Sequence, residues 1–133
     1  RHKMARRSIY IEGFGHGTHP TPAATRIGNT IYTGSVSGTD RKTQKTPQDL
    51  AEQTRLVFEN MGAILEAGGA TWDDVIFMKF FTRDANAARD IINAEWRKVF
   101  TDPAALPSRH VITQDIAFPN VMVQAEAVAI IER

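Results

Sequence analysis

Apolar and polar positions alternate along the chain in two different periods, and the changes of period mark out its elements. Residues 8–11 and 30–33 are rich in β-branched and aromatic side chains and predict two strands. Between them Gly13, Gly15, Gly17, Pro20 and Pro22 break any regular element. A second loop covers 35–45 and leads into a helix start. There Thr46 is expected to cap, Pro47 to take the first helical position and Asp49 to favour the positive end of the dipole. From there Leu50, Thr54, Val57, Phe58, Met61, Ile64 and Leu65 recur at three- and four-residue steps, a stripe that ends at Gly68 and Gly69. The run 74–82 is short, apolar and β-branched, which predicts a core strand. Ile91, Ile92, Trp96, Val99 and Phe100 define a second amphipathic helix closed by Pro103. Residues 108–116 and 121–131 are expected to form two paired strands about the Phe118-Pro119-Asn120 turn.

This order, β, β, α, β, α, β, β, predicts an α+β fold in which two helices cover one face of a mainly antiparallel or mixed sheet. The last strand sets Val121, Val123, Ala125, Ala127, Ala129 and Ile131 on one side and Met122, Gln124, Glu126, Val128 and Ile130 on the other. Neither side is fully polar, so the uncovered face is expected to meet another subunit. Residues 1–133 form one domain, with 1–7 as a flexible leader.

Composition narrows the function classes. The chain is 42% hydrophobic and 23% charged with a formal net charge of +1, which fits a globular domain and gives no reason for a polyanionic partner. Arg1, His2, Lys3, Arg6 and Arg7 are the main basic concentration, too short for a nucleic-acid footprint. No apolar run is long enough for a membrane span, and the N-terminus lacks a signal-peptide core. The absence of cysteine excludes disulfides, Cys-ligated zinc and thiol nucleophiles. A cytoplasmic location is the expectation. His16 and His19 alone make a weak metal site, so neither a metal nor a cofactor is expected. Gly13, Gly15 and Gly17 form no dinucleotide fingerprint, because no helix opens there.

Several segments carry a family resemblance. They are Arg26-Ile27-Gly28-Asn29-Thr30-Ile31-Tyr32-Thr33-Gly34-Ser35, the helix with Gln53-Thr54-Arg55 and Glu59-Asn60-Met61-Gly62, and Asp74-Val75-Ile76 with Asn93, Trp96 and Phe100. Over about 20–130 the chain resembles the Rid family, the YjgF-type reactive intermediate deaminases. The resemblance implies a chorismate-mutase-like subunit that trimerises through its uncovered face and has a ligand cleft at each subunit interface. It also implies hydrolysis of enamines and imines, such as 2-aminoacrylate and 2-iminopropanoate, to 2-keto acids and ammonia. A specialised catabolic substrate is one form this expectation takes.

The resemblance assigns roles residue by residue. Pro107-Ser108-Arg109 fills the family's Pro-Ala-Arg motif, which implies that Arg109 holds the substrate carboxylate. The family's last-strand glutamate falls on Gln124, so the acid is an amide here. The family's aromatic after a Gly-Pro pair falls near Thr21, after His19 and Pro20, and the serine of its Ser-Gly-Gln motif appears as Gly34 with Ser35 beside it. Arg109, Gly34, Ser35, Ser108, Thr21 and His19 are thus the expected substrate contacts, and Arg109 and Gln124 the expected catalytic pair.

The chemistry of the side chains agrees with part of this assignment. A guanidinium grips a carboxylate bidentately and stays charged. Gln124 can orient water but has no useful proton affinity. The alternative is a non-catalytic trimeric protein that binds keto acids or related small carboxylates. Glu126 is read as a substitute acid, a salt-bridge partner for Arg109 or an exposed acid. His110 should point away from Arg109.

Overall fold

The last strand lies in the middle of the sheet. The structure, a computed structural model, describes residues 5–133. Among these, the strands are β1 (Arg7–Ile9), β2 (Ala24–Ile27), β3 (Thr30–Thr33), β4 (Val36–Ser37), β5 (Val75–Thr82), β6 (Ser108–Thr113) and β7 (Val123–Ile130). The helices are α1 (Leu50–Ala67) and α2 (Ala85–Val99), with a 3-10 turn at Trp72–Asp74. The sheet order is β1-β2-β3-β7-β5-β6, with β4 also on β7. All pairs are antiparallel except β5 and β6, which α2 joins as a parallel crossover.

That order corrects the expected hairpin. β6 and β7 do not pair, because β5 lies between them. The Phe118-Pro119-Asn120 segment instead belongs to a loop that carries the chain across the end of β5. Arg83, just beyond β5, clamps this loop: its guanidinium donates to the carbonyls of Ile116, Phe118 and Val121. The sheet also contains β2 and β4, which the sequence reading left within loops. Pairing begins inside the expected leader, since Arg7 lies opposite Arg26; residues 1–4 of that stretch lie outside the described residues.

Both helices pack on one face, as the strand alternation requires. Val123, Ala125, Ala127 and Ala129 are fully buried beneath them. α1 covers β7 and β4, and α2 covers β5 and β6. α1 starts later than expected, with Asp49 as its cap accepting from Glu52 N–H. The fully buried Gln53 explains the delay. Its amide donates to the carbonyls of Pro47 and Asn120 at 2.8 Å each and accepts from Met122 N–H at 2.9 Å. Gln53 thereby ties the segment before α1 to the 114–121 loop. Gly38 allows the same region to close, since a β-carbon there would lie 2.2 Å from the carbonyl oxygen of Gln53.

β3 and β4 share one side of β7 but are separated by Gly34 and Ser35. Thr33 bridges the break, its hydroxyl accepting from Ala127 N–H and donating to Gly34 O at 2.9 Å each. The backbone bows outward there and leaves Ser35 exposed. On the helix-free face, the register sets Tyr32, Val128 and Phe77 in one row, Glu126, Lys79 and His110 in the next, and Gln124, Phe81 and Ile112 in a third. Tyr32 is 54% exposed. No helix among the described residues is long and apolar enough to cross a membrane.

Candidate functional site

Arg109 occupies β6 opposite Met78, a fully buried residue, so its side chain lies on the helix-covered face. α2 receives it there. Asn93 Oδ1 accepts a hydrogen bond from Arg109 Nη2, and the guanidinium carbon stands 4.9 Å from the centre of the Trp96 ring. The indole is itself fixed by Phe100 at 4.5 Å and Phe80 at 6.3 Å, within an aromatic cluster that extends through Trp72 and Phe58. An arginine stacked on a braced indole has few rotamers left, which presents its remaining donors in a fixed direction.

These side chains border a cleft of about 470 Å³, whose lining also includes Arg97, Thr101, Leu106 and Pro107. Partial burial holds the Arg109 guanidinium below its ordinary pKa, and repulsion from Arg89 and Arg97 adds to this. No carboxylate lies within 4 Å of Arg109 among the described residues. A partly desolvated cation without a counter-ion has the chemistry to hold an anion.

Gln124 is elsewhere. It pairs with Ser37 on one side and Phe81 on the other, and it projects from the helix-free face, the side opposite Arg109. It borders a second cleft of about 920 Å³, together with His16, His19, Ser35, Asp115 and Phe118. His16 is held edge-on to Phe14, with ring centres 5.8 Å apart. A β-carbon built on Gly34 would lie 3.8 Å from His16 Nε2, so Gly34 leaves room beside the imidazole.

The expected site residues therefore separate into two groups. Ser35, His19 and Gln124 share one cleft, with Gly34 beside it, and Arg109 has the other. Thr21 and Ser108 border neither. Thr21 is an exposed loop residue whose N–H donates to His19 O at 2.9 Å, and Ser108 is an exposed strand-edge residue. His110 does point away from Arg109, packing edge-on to Phe77 at 5.2 Å. Glu126 stands opposite Lys79 on the helix-free face and so cannot pair with Arg109 of its own chain.

In the sequence Asn93 stood out only as a family marker and Trp96 as a family marker and a member of the apolar stripe of α2, while Arg97 did not stand out at all. Their spacing carried the signal, because 93, 96, 97 and 100 fall on one side of a helix. The roles of Arg83 and Gln53 in shaping the second cleft depend on contacts across the sheet and left no local pattern.

Comparison with known proteins agrees with this architecture. The family model described as Endoribonuclease L-PSP matches residues 18–131. A protein of Escherichia coli K12 named 2-iminobutanoate/2-iminopropanoate deaminase is 30% identical over 125 residues, covering 93% of this chain and 97% of its own. The crystal structure of the YjgF gene product from E. coli superposes with a TM-score of 0.82 at 28% identity, covering 93% of this chain and 98% of the other. E. coli TdcF with bound serine superposes with a TM-score of 0.84 at 25% identity, covering 95% and 99%. By the extent of these matches, the chain belongs to the YjgF/Rid family.

Proposed function

We propose that this protein hydrolyses small carboxylate-bearing imines and their enamine tautomers to 2-keto acids and ammonia, in the cytoplasm and without a cofactor. The observation that carries this reading is Arg109: partly buried, braced by Asn93 and Trp96, and free of any carboxylate partner among the described residues. The similarity to the E. coli protein named 2-iminobutanoate/2-iminopropanoate deaminase supports the reaction class.

The two clefts argue for a site made by two copies. Arg109 and Gln124 are two strands and three register positions apart, roughly 10 Å in each direction, with side chains on opposite faces. One small ligand cannot touch both within a chain. A homotrimer packed through the helix-free face, where apolar and charged rows alternate, would bring the Gln124 cleft of one copy against the Arg109 cleft of the next.

In such a site Arg109 holds the carboxylate. The Gln124 amide orients a water toward the imine carbon. Water adds to C2 as the C=N pair moves to nitrogen; the C–N bond then breaks, a C=O bond forms, and both water protons end on the departing ammonia. Gln124 cannot carry those protons, so His16, His19 and Asp115, which line the same cleft, are the groups able to relay them. Imines hydrolyse readily, so positioning alone contributes usefully.

The test generates 2-iminopropanoate with an amino-acid oxidase in the presence of a semicarbazide trap and follows pyruvate release. Faster release with the protein, lost in Arg109→Ala, supports the reading. The second reading, a non-catalytic binder of keto acids, is favoured by the amide at position 124. It gains if several imino acids show no acceleration while keto acids bind tightly.

A further inference from the structure

The face of α2 beside Arg109 carries Arg89, Asn93 and Arg97 at four-residue steps, which places them along one line of the helix. Asn93, the middle member, holds Arg109, and Arg97 borders the same cleft. Arg97 and Arg109 thus share one cavity as like charges. The acids nearby make no ion pair with either guanidinium. Glu95 pairs with Lys98 at 2.8 Å, and Asp102 accepts from Ala104 N–H at 2.9 Å. Arg89 donates to Asn86 Oδ1, so its neighbour there is neutral. Among the described residues no carboxylate lies within 4 Å of Arg97 or Arg109.

Two cations held in one cleft without a counter-ion repel each other, and one carboxylate satisfies only one guanidinium fork. The cleft also has more space than a three-carbon imino acid fills, since about 470 Å³ is within the range that holds considerably larger ligands. Its walls also include Trp96, Leu106 and Pro107, which suit a methylene chain.

We infer that the ligand of this cleft is a dicarboxylic 2-imino acid or its 2-keto product, with the first carboxylate on Arg109 and the second on Arg97. This rests on the same site as the deaminase reading and specifies its substrate class. Arg89 adds to the positive field without touching the ligand. The order of recognition follows from burial. Arg109 is braced and half-buried and fixes the reacting end, whereas Arg97 is exposed and accepts the far end of the chain.

The test compares 2-oxoglutarate with 2-oxobutanoate by calorimetry, using the intact protein. The diacid is expected to bind at least tenfold more tightly at low salt, as a charge-assisted contact at a partly exposed cation predicts. In Arg97→Gln that ratio should fall toward one, and Arg97→Lys should keep part of it. Equal affinities in the wild type, or a preference that survives Arg97→Gln, overturn the inference. Because Arg97 is exposed, these variants should keep the wild-type melting temperature, which checks their folding. Turnover of the imines made from glutamate and from 2-aminobutyrate is then measured on the same samples. An Arg97-dependent diacid preference in binding, with neither imine hydrolysed faster, refutes the deaminase reading and leaves the ligand class standing. Faster hydrolysis without any diacid preference does the reverse.

Discussion

Arg109 and Gln124 project from opposite faces of one sheet, with β5 between their strands. The arginine is oriented by α2, and the amide lies against the 114–121 loop and the His16 segment. Any reaction that needs both groups therefore needs two copies of the chain.

Restoring the acid tests what the amide limits. Gln124→Glu places a carboxylate able to take and give protons where now only orientation is available. It should raise kcat on 2-iminopropanoate, by up to ~10²-fold if proton transfer limits the rate. Steady-state kinetics read this directly, and an unchanged rate would remove proton transfer at position 124 from the mechanism.

Asn93→Ala should weaken binding while leaving the fold intact. Asn93 is half-buried and orients Arg109, so its loss leaves the guanidinium over Trp96 but free to swing. A rise in KM of about tenfold is expected from one lost charge-assisted hydrogen bond in the ligand's support. An unchanged KM would show that the stack on Trp96 suffices.

Gln53→Leu should cost about 2–4 kcal/mol, because three backbone groups lose a buried partner at once. Urea denaturation measures the loss. Amide exchange at Met122 should quicken in the same variant, since its N–H bonds to Gln53 Oε1.

Acid should expose the role of Asp74. The Arg133 guanidinium, together with the Thr71 N–H, holds its carboxyl below the ordinary 3.8. A depressed folded-state pKa stabilises the fold above the unfolded value, and that contribution is lost as pH falls through the folded one. The melting temperature of wild type should exceed that of Asp74→Asn at pH 6, and the gap should close as pH falls below about 3.8. A gap unchanged at pH 2 would contradict this.

The local signals in the sequence were reliable where an element satisfies itself. The apolar stripe of α1, the stop at Gly68, the helix around Trp96 and the two-sided β7 each follow from side-chain periodicity. Strand pairing did not, because it depends on which distant segment fills a gap. β6 and β7 adjoin in sequence and read as a hairpin, yet the α2 crossover sets β6 on the outer edge of β5. β2 was obscured by the glycines and prolines before it, and β4 has two residues, too few for a period. Arg109 was legible as a candidate site residue from its motif, and it does border a cleft. Its separation from Gln124 was not, since the face on which each side chain lies depends on that pairing.

Subunit complementation tests the two-copy site most directly. Arg109→Ala and Gln124→Leu, each impaired alone, are denatured together in equal amounts, refolded and assayed for imine hydrolysis. If one copy supplies Arg109 and its neighbour Gln124, random mixing leaves about a quarter of the sites with both native groups, and activity rises well above the mean of the two parents. If both groups act within one chain, every site carries one lesion, and the mixture shows only that mean.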